Sequence, residues 1–234
     1  MVRNRTKFTL GLVGLVTFVI ALTVCLSPVL DDQTGLQWAD GFFNQLSKNS
    51  SYFLPKVAEE SANYAGKSFR AQVTPRDPVI AEHIERVFAV AGAQTRAHGK
   101  TVELAGDLGA VARAIIADAE GMYRGREREL QAAYGFSGRE AIYCWWAALD
   151  AIYRQFVEEG DVPASNFASM LRTKVCEPAY NFVGIAPRSP SEAGLPLFAL
   201  LAFYLLYTVW YGFSILYLFE GLGITVQATR REEQ

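Results

Sequence analysis

The sequence predicts an all-α membrane protein in which two transmembrane helices flank a helical extracytoplasmic domain. Three observations predict it. Two long runs carry no charge, one near each end of the chain. Basic residues lie on the terminal side of both runs. Between the runs, apolar residues recur at helical spacing and no alternating strand of useful length stands out.

The first run, Phe8 to Leu30, has 23 uncharged positions rich in Leu, Val, Ile and Phe. The second, Ala193 to Phe219, has 27. About 20 apolar residues suffice for a helix to cross roughly 30 Å of hydrocarbon. Arg3, Arg5 and Lys7 precede the first run, Asp31 and Asp32 follow it, and Arg230 and Arg231 lie beyond the second. Basic residues favour the cytoplasmic side. The expected organisation is therefore a cytoplasmic N-terminus (1–7), spans at 8–30 and 194–219, an outer domain at 31–193 and a cytoplasmic tail at 220–234. The membrane is an inner or plasma membrane, with both termini inside. A cleaved signal peptide is the alternative for the first run. Its apolar length exceeds the usual ~7–15 residues of such peptides, and no Ala-x-Ala follows it.

In the outer domain, Leu36, Ala39, Phe42, Phe43 and Leu46 mark one face of a helix close to the membrane. Ser50 or Ser51 caps a second helix, with Pro55 in its first turn and Gly66 at its end. Gln72–Thr74 is extended or a turn, because Pro75 follows. Asp77-Pro78 starts a helix with Ile80, Ile84, Val87, Phe88 and Ala91 inward, fraying near His98-Gly99. Thr101–Ala105 has scope for brief strand pairing only. Gly106-Asp107 opens a helix with Leu108, Val111, Ile115, Ala119 and Met122 inward. A short helix near Arg126–Tyr134 stops at Gly135. Ser137 and Glu140 form a capping box for the most aromatic helix, about Gly138 to Glu158. A last helix runs from about Ala164 to Cys176 and stops at Pro178. Tyr180, Asn181 and Phe182 then read as a packed turn or a binding loop.

Composition narrows the function classes. The chain is 51% hydrophobic and 20% charged, which excludes disorder. Its net charge is −2, and the outer domain, with 17 basic and 21 acidic residues, sits near −4. Nucleic acid is not an expected partner, since that needs a basic footprint. Two histidines and three cysteines suit no metal pattern, and neither span has a histidine for haem, so no cofactor or metal is expected. An oxidising compartment would permit a bridge between Cys144 and Cys176; two buried thiols are the alternative. His83 reads as a satisfied surface residue. Asp118 and Glu120 read as solvent-facing, and Asp107 as a helix cap. Arg124, Arg126 and Arg128 interleave with acids as a solvated face.

The residues singled out for binding are aromatic. Trp145 and Trp146 project about 100° apart, so burying both requires cover on more than one side. A pocket between this pair and the Tyr180 segment is the place to look for a ligand. In the second span, Tyr204, Tyr207 and Tyr211 form one stripe, and Trp210, Ser214 and Tyr217 an adjacent one. Phenols in hydrocarbon need hydrogen-bond partners. Gly11 and Gly14 in the first span permit close helix contact. Glu220 belongs at the cytoplasmic interface.

The leading expectation is a non-catalytic subunit or assembly factor of a membrane complex. Its partners would be the lipid bilayer and other membrane subunits or further copies of itself. The alternative is an extracytoplasmic ligand-binding or sensing module coupled to a membrane partner. An enzyme ranks third, because its cleft would have to be assembled from Asp107, His83 or Tyr180.

Overall fold

The computed structural model of the chain describes residues 2–28 and 32–224. Asp31 and the basic pair Arg230–Arg231 lie outside the described residues. The chain divides into two compact units, residues 1–46 with 188–234, and residues 47–187.

The first unit contains two helices long and apolar enough to cross a membrane, α1 (Arg5–Cys25) and α10 (Gly194–Leu222). They pack as an antiparallel pair. A Cβ on Gly11 would lie 2.5 Å from the Leu218 backbone nitrogen, and one on Gly221 would lie 2.5 Å from that of Phe8. Only hydrogen at these positions lets the backbones approach so closely. Asn4 caps α1 through the Lys7 amide. Lys7 Nζ donates to Glu220 Oε2 at 2.7 Å, closing the pair where α1 begins and α10 ends. Thr17, Thr23, Thr208 and Ser214 each donate to a carbonyl four residues earlier in their own helix. Those hydroxyls therefore need no outside partner.

The same unit holds most of α2 (Gly35–Ser50). Its start is a capping box. The Thr34 hydroxyl accepts from the Gln37 amide at 3.1 Å, and the Gln37 side chain accepts from the Thr34 amide at 2.9 Å.

The second unit is mostly helical, but it is not all-α. A three-stranded antiparallel sheet of order β1-β3-β2 comprises β1 (Ser68–Val73), β2 (Gln94–His98) and β3 (Thr101–Asp107). Strand β1 alternates strictly, with Phe69, Ala71 and Val73 buried and Ser68, Arg70 and Gln72 exposed. Helix α4 (Pro78–Val90) begins at the Asp77 cap as expected but ends well before His98. Gly92, at φ +79°, closes it: the Ala93 amide bonds the Phe88 carbonyl and the Gly92 amide that of Ala89. That double closure is a Schellman motif, and it frees the chain to become β2. Gly99, at φ +63°, makes the tight turn from β2 to β3.

Helix α3 (Leu54–Ser61) starts behind Phe53 rather than a serine cap, with Pro55 in its first turn. A 3-10 turn (Ala62–Tyr64) leads to β1. Helices α5 (Leu108–Tyr123), α6 (Glu127–Tyr134) and α7 (Gly138–Glu158) follow the sequence periodicity closely. Gly135, at φ +83°, ends α6. Helix α8 (Val162–Met170), capped by Asp161, does not stop at Pro178. It widens into a π turn (Leu171–Cys176) and continues as α9 (Glu177–Asn181). Pro178, which has no N–H for the fourth carbonyl back, falls just after this wide turn, where the Glu177 amide bonds the Arg172 carbonyl, five residues back. Tyr180 and Asn181 are thus helical, not part of a turn.

The core of this unit lies between the inner sheet face and helices α4, α5, α7 and α8. Trp145 is fully buried at its centre, 4.7 Å from the Phe88 ring, among Leu149, Ile152, Phe156 and Phe167.

Candidate functional site

The residues singled out in the sequence fall into four places. Trp145 belongs to the core, where its indole Nε1 donates to Asp118 Oδ2 at 2.7 Å. Tyr134 donates its hydroxyl to the same oxygen, also at 2.7 Å. Asp118 is therefore no solvent-facing charge. Burial raises its pKa above the ordinary aspartate value, against the opposing pull of the two hydrogen bonds. Glu120 is also engaged, accepting from the Tyr52 hydroxyl at 2.9 Å and Arg124 Nε at 2.5 Å.

Trp146 turns the other way, to the edge of a groove of about 1180 Å³. Arg70, Gln72, Arg96 and Glu103 of the sheet and Asp150 and Arg154 of α7 line it. Register explains the sheet residues. Gln72 and Arg96 are the cross-strand partners of Glu103, so their side chains share the face opposite the core. Ala147 and Ala151 keep the α7 wall low. Asp150 receives both Arg154 and Arg172, while Arg70 and Arg96 have no acidic partner within salt-bridge distance among the described residues. The Trp146 indole donates to Glu177 at 3.1 Å, and its ring stacks with Tyr143 and lies under the Arg172 guanidinium. Arg172 Nε is buried without a hydrogen-bond partner.

Tyr180, Asn181 and Phe182 do not line this groove. Tyr180 instead lies under the Arg139 guanidinium, 4.6 Å away. Cys144 and Cys176 are free, buried thiols. Burial pushes the Cys144 thiol up to about 12, aided by Glu140, and raises that of Cys176 as well. Both are therefore poor nucleophiles near neutrality.

The residues of the enzyme reading are otherwise occupied. Asp107 caps α5, accepting from the Ala110 amide at 2.6 Å and also from Gly66. The Ser137–Glu140 box is half-made. Ser137 accepts from the Glu140 amide, but the Glu140 carboxylate turns to His83 Nδ1 at 3.1 Å. His83 stacks on Phe136 at 3.8 Å. No cluster of metal-ligating side chains occurs among the described residues.

The fourth place is α10. Phe18 of α1 packs on Tyr207 at 4.4 Å and Tyr211 at 5.0 Å, and Trp210 Nε1 donates to the Gly14 carbonyl at 3.1 Å. Tyr204 stays 68% exposed. The hydroxyls of Tyr204, Tyr207 and Tyr211 donate to no described residue.

Sequence reasoning missed Arg70, Arg96, Asp150 and Arg172. The alternation of β1 was the available signal for the first, and pairing of Thr101–Ala105 for the face it shares. Arg172 and Asp150 meet across two helices, which no local pattern announces. Comparison with protein-family models, with curated proteins and with solved structures finds no match.

Proposed function

We propose that this chain is a non-catalytic integral membrane protein, a subunit or assembly factor of a membrane complex. It carries residues 31–193 on the extracytoplasmic side, with both termini in the cytoplasm. One observation supports this above others. Tyr204, Tyr207 and Tyr211 all fall within about 6 Å of the midpoint of α10 along its axis. Their hydroxyls have no acceptor among the described residues, whereas Thr17, Thr23, Thr208 and Ser214 each bond their own helix. A phenol reaches too far from its backbone to do the same. An orphan hydroxyl in hydrocarbon costs free energy, and a second helical surface supplies the acceptor.

The test is purification of the tagged full-length protein in a gentle detergent, with mass spectrometry of what stays bound. Stoichiometric membrane partners, or a discrete homo-oligomer, are expected. Replacing all three tyrosines by phenylalanine is expected to reduce recovery of those partners by about tenfold or more, from about 0.6 kcal/mol or above for each lost bond. A lone monomer from the unaltered chain overturns the reading.

The groove supports a second reading, an anion-binding module. Arg70 and Arg96 face it with no acidic partner within salt-bridge distance among the described residues, and the Trp146 ring adjoins it. A carboxylate- or phosphate-bearing solute at about 100 times its Kd would stabilise the fold by roughly 2.7 kcal/mol. A rise in Tm that Arg70→Ala and Arg96→Ala abolish supports it; a solute panel that leaves Tm unchanged removes it.

A further inference from the structure

We infer that α2 lies in the membrane interface with its apolar face in lipid, as an in-plane helix continuous with the two spans. The inference rests on the membrane reading of α1 and α10.

Helix α2 is amphipathic by position. At 100° per residue, Trp38, Phe42, Leu46, Ala39, Phe43 and Leu36 fill one arc of roughly 160°. Gln37, Asp40 and Asn44 occupy the opposite side, where the Asn44 amide donates to Asp40 at 3.0 Å. The apolar arc is only partly used within the unit. Phe42 is buried, stacked on Trp38 and under the Arg188 guanidinium. Leu36, Trp38 and Phe43 remain 66%, 40% and 43% exposed. Three large apolar side chains along about two turns of one helix are costly in water.

What covers them follows from where α2 is anchored. A Cβ on Gly35, the first residue of α2, would lie 3.1 Å from the carbonyl of Cys25, the last residue of α1. The helix thus starts in contact with the outer end of one span. Farther along, the Gln45 carbonyl accepts from the Arg188 amide at 3.1 Å, and Arg188 is six residues before the start of α10. The segment is tied at its start to the end of α1 and, at Gln45, to the stretch of chain that leads into α10. Lipid is already present at that level, and a tryptophan beside phenylalanines suits the headgroup–acyl boundary.

The test uses the full-length chain in a Cys25→Ser background, reconstituted into phosphatidylcholine–phosphatidylglycerol vesicles. Cys144 and Cys176 are fully buried and do not compete for label. Nitroxide is placed in turn at Leu36→Cys, Gln37→Cys, Phe43→Cys and Asn44→Cys, and collisions with oxygen and with an aqueous nickel complex are measured. Oxygen partitions into lipid, so the oxygen-to-nickel ratio at 36 and 43 is expected to exceed that at 37 and 44 by about threefold or more. Equal, nickel-rich collisions at all four positions overturn the inference, because the face is then in water. Low collision rates with both reagents at 36 and 43 overturn it too, because protein then covers the face. A label at Leu205→Cys, 62% exposed on α10, separates the two readings. If it is oxygen-rich while α2 fails, only the inference falls. If it is nickel-rich, the membrane reading falls with it.

Discussion

Replacing Asp118 with alanine is expected to lower the stability of the second unit by about 3–5 kcal/mol. Two buried donors, the Trp145 indole and the Tyr134 hydroxyl, share one acceptor oxygen. Removing it orphans both, and each orphan costs about 1–3 kcal/mol. For a domain of this size the loss corresponds to roughly 10–20 °C in Tm. Asp118→Asn keeps an oxygen where both donors point and is expected to stay within about 1 kcal/mol of the unaltered chain. Tryptophan fluorescence of the full-length protein on heating reads the difference, since Trp145 reports on the site directly. Equal losses in the two variants would mean that the charge, not the shared acceptor, matters.

The same pair of proteins gives a pH test. The folded state holds the Asp118 proton more tightly than an unfolded aspartate does, because burial raises its pKa. The stability that proton binding confers is fully present below the unfolded value of about 3.9 and is lost as pH rises through the folded value. The unaltered protein should therefore lose ground to Asp118→Asn as pH climbs from about 4, then run parallel to it. A gain over the same window contradicts burial as the dominant influence.

The second large effect is expected in the helix pair. Gly11→Leu places its Cβ against the Leu218 nitrogen and the Ser214 carbonyl, and backbone cannot rotate away. The helices must separate, at a cost of about 2–3 kcal/mol, or some thirtyfold or more in the packed-to-separated ratio. Gly14→Ala meets the Ser214 hydroxyl instead, at 2.5 Å, and that side chain can turn. The milder variant should retain most of the packing. Disulfide formation between Lys7→Cys and Glu220→Cys, introduced into each background, measures this. Efficient crosslinking in Gly14→Ala and its loss in Gly11→Leu is the expected pattern; equal crosslinking in both removes the argument from close approach.

The elements legible in the sequence were those whose signals are local. Asp77-Pro78, Asp107 and Ser137 announce helix starts by their own side chains, and Gly135 a stop. The glycines of α1 and the run of α10 announce themselves by composition. What escaped depends on distant partners. Strand β1 is six residues long and became a strand only because β3 lies beside it. Gly92 was hidden in an apolar run that otherwise reads as a continuing helix. The π turn needed the backbone to show how a helix passes Pro178. At the candidate site, the 100° between Trp145 and Trp146 leaves open whether both are buried or one reaches outward, and nothing local says that Trp145 is the one that faces inward. Asp118 reads as an exposed acid until Tyr134 and Trp145 are brought to it from two other helices.

The strand order has a consequence for biosynthesis. The central strand is the last of the three to be made, and both outer strands pair with it alone. As the chain emerges, residues 68–73 and 94–98 stay unpaired until 101–107 arrive. Strand β2 then closes at once through its tight turn, while β1 must be recovered across the whole of α4. A nascent chain halted before Thr101 would present the apolar face of β1 and the polar β2 with no template, and a pause there would be the stage at which a chaperone has most to hold.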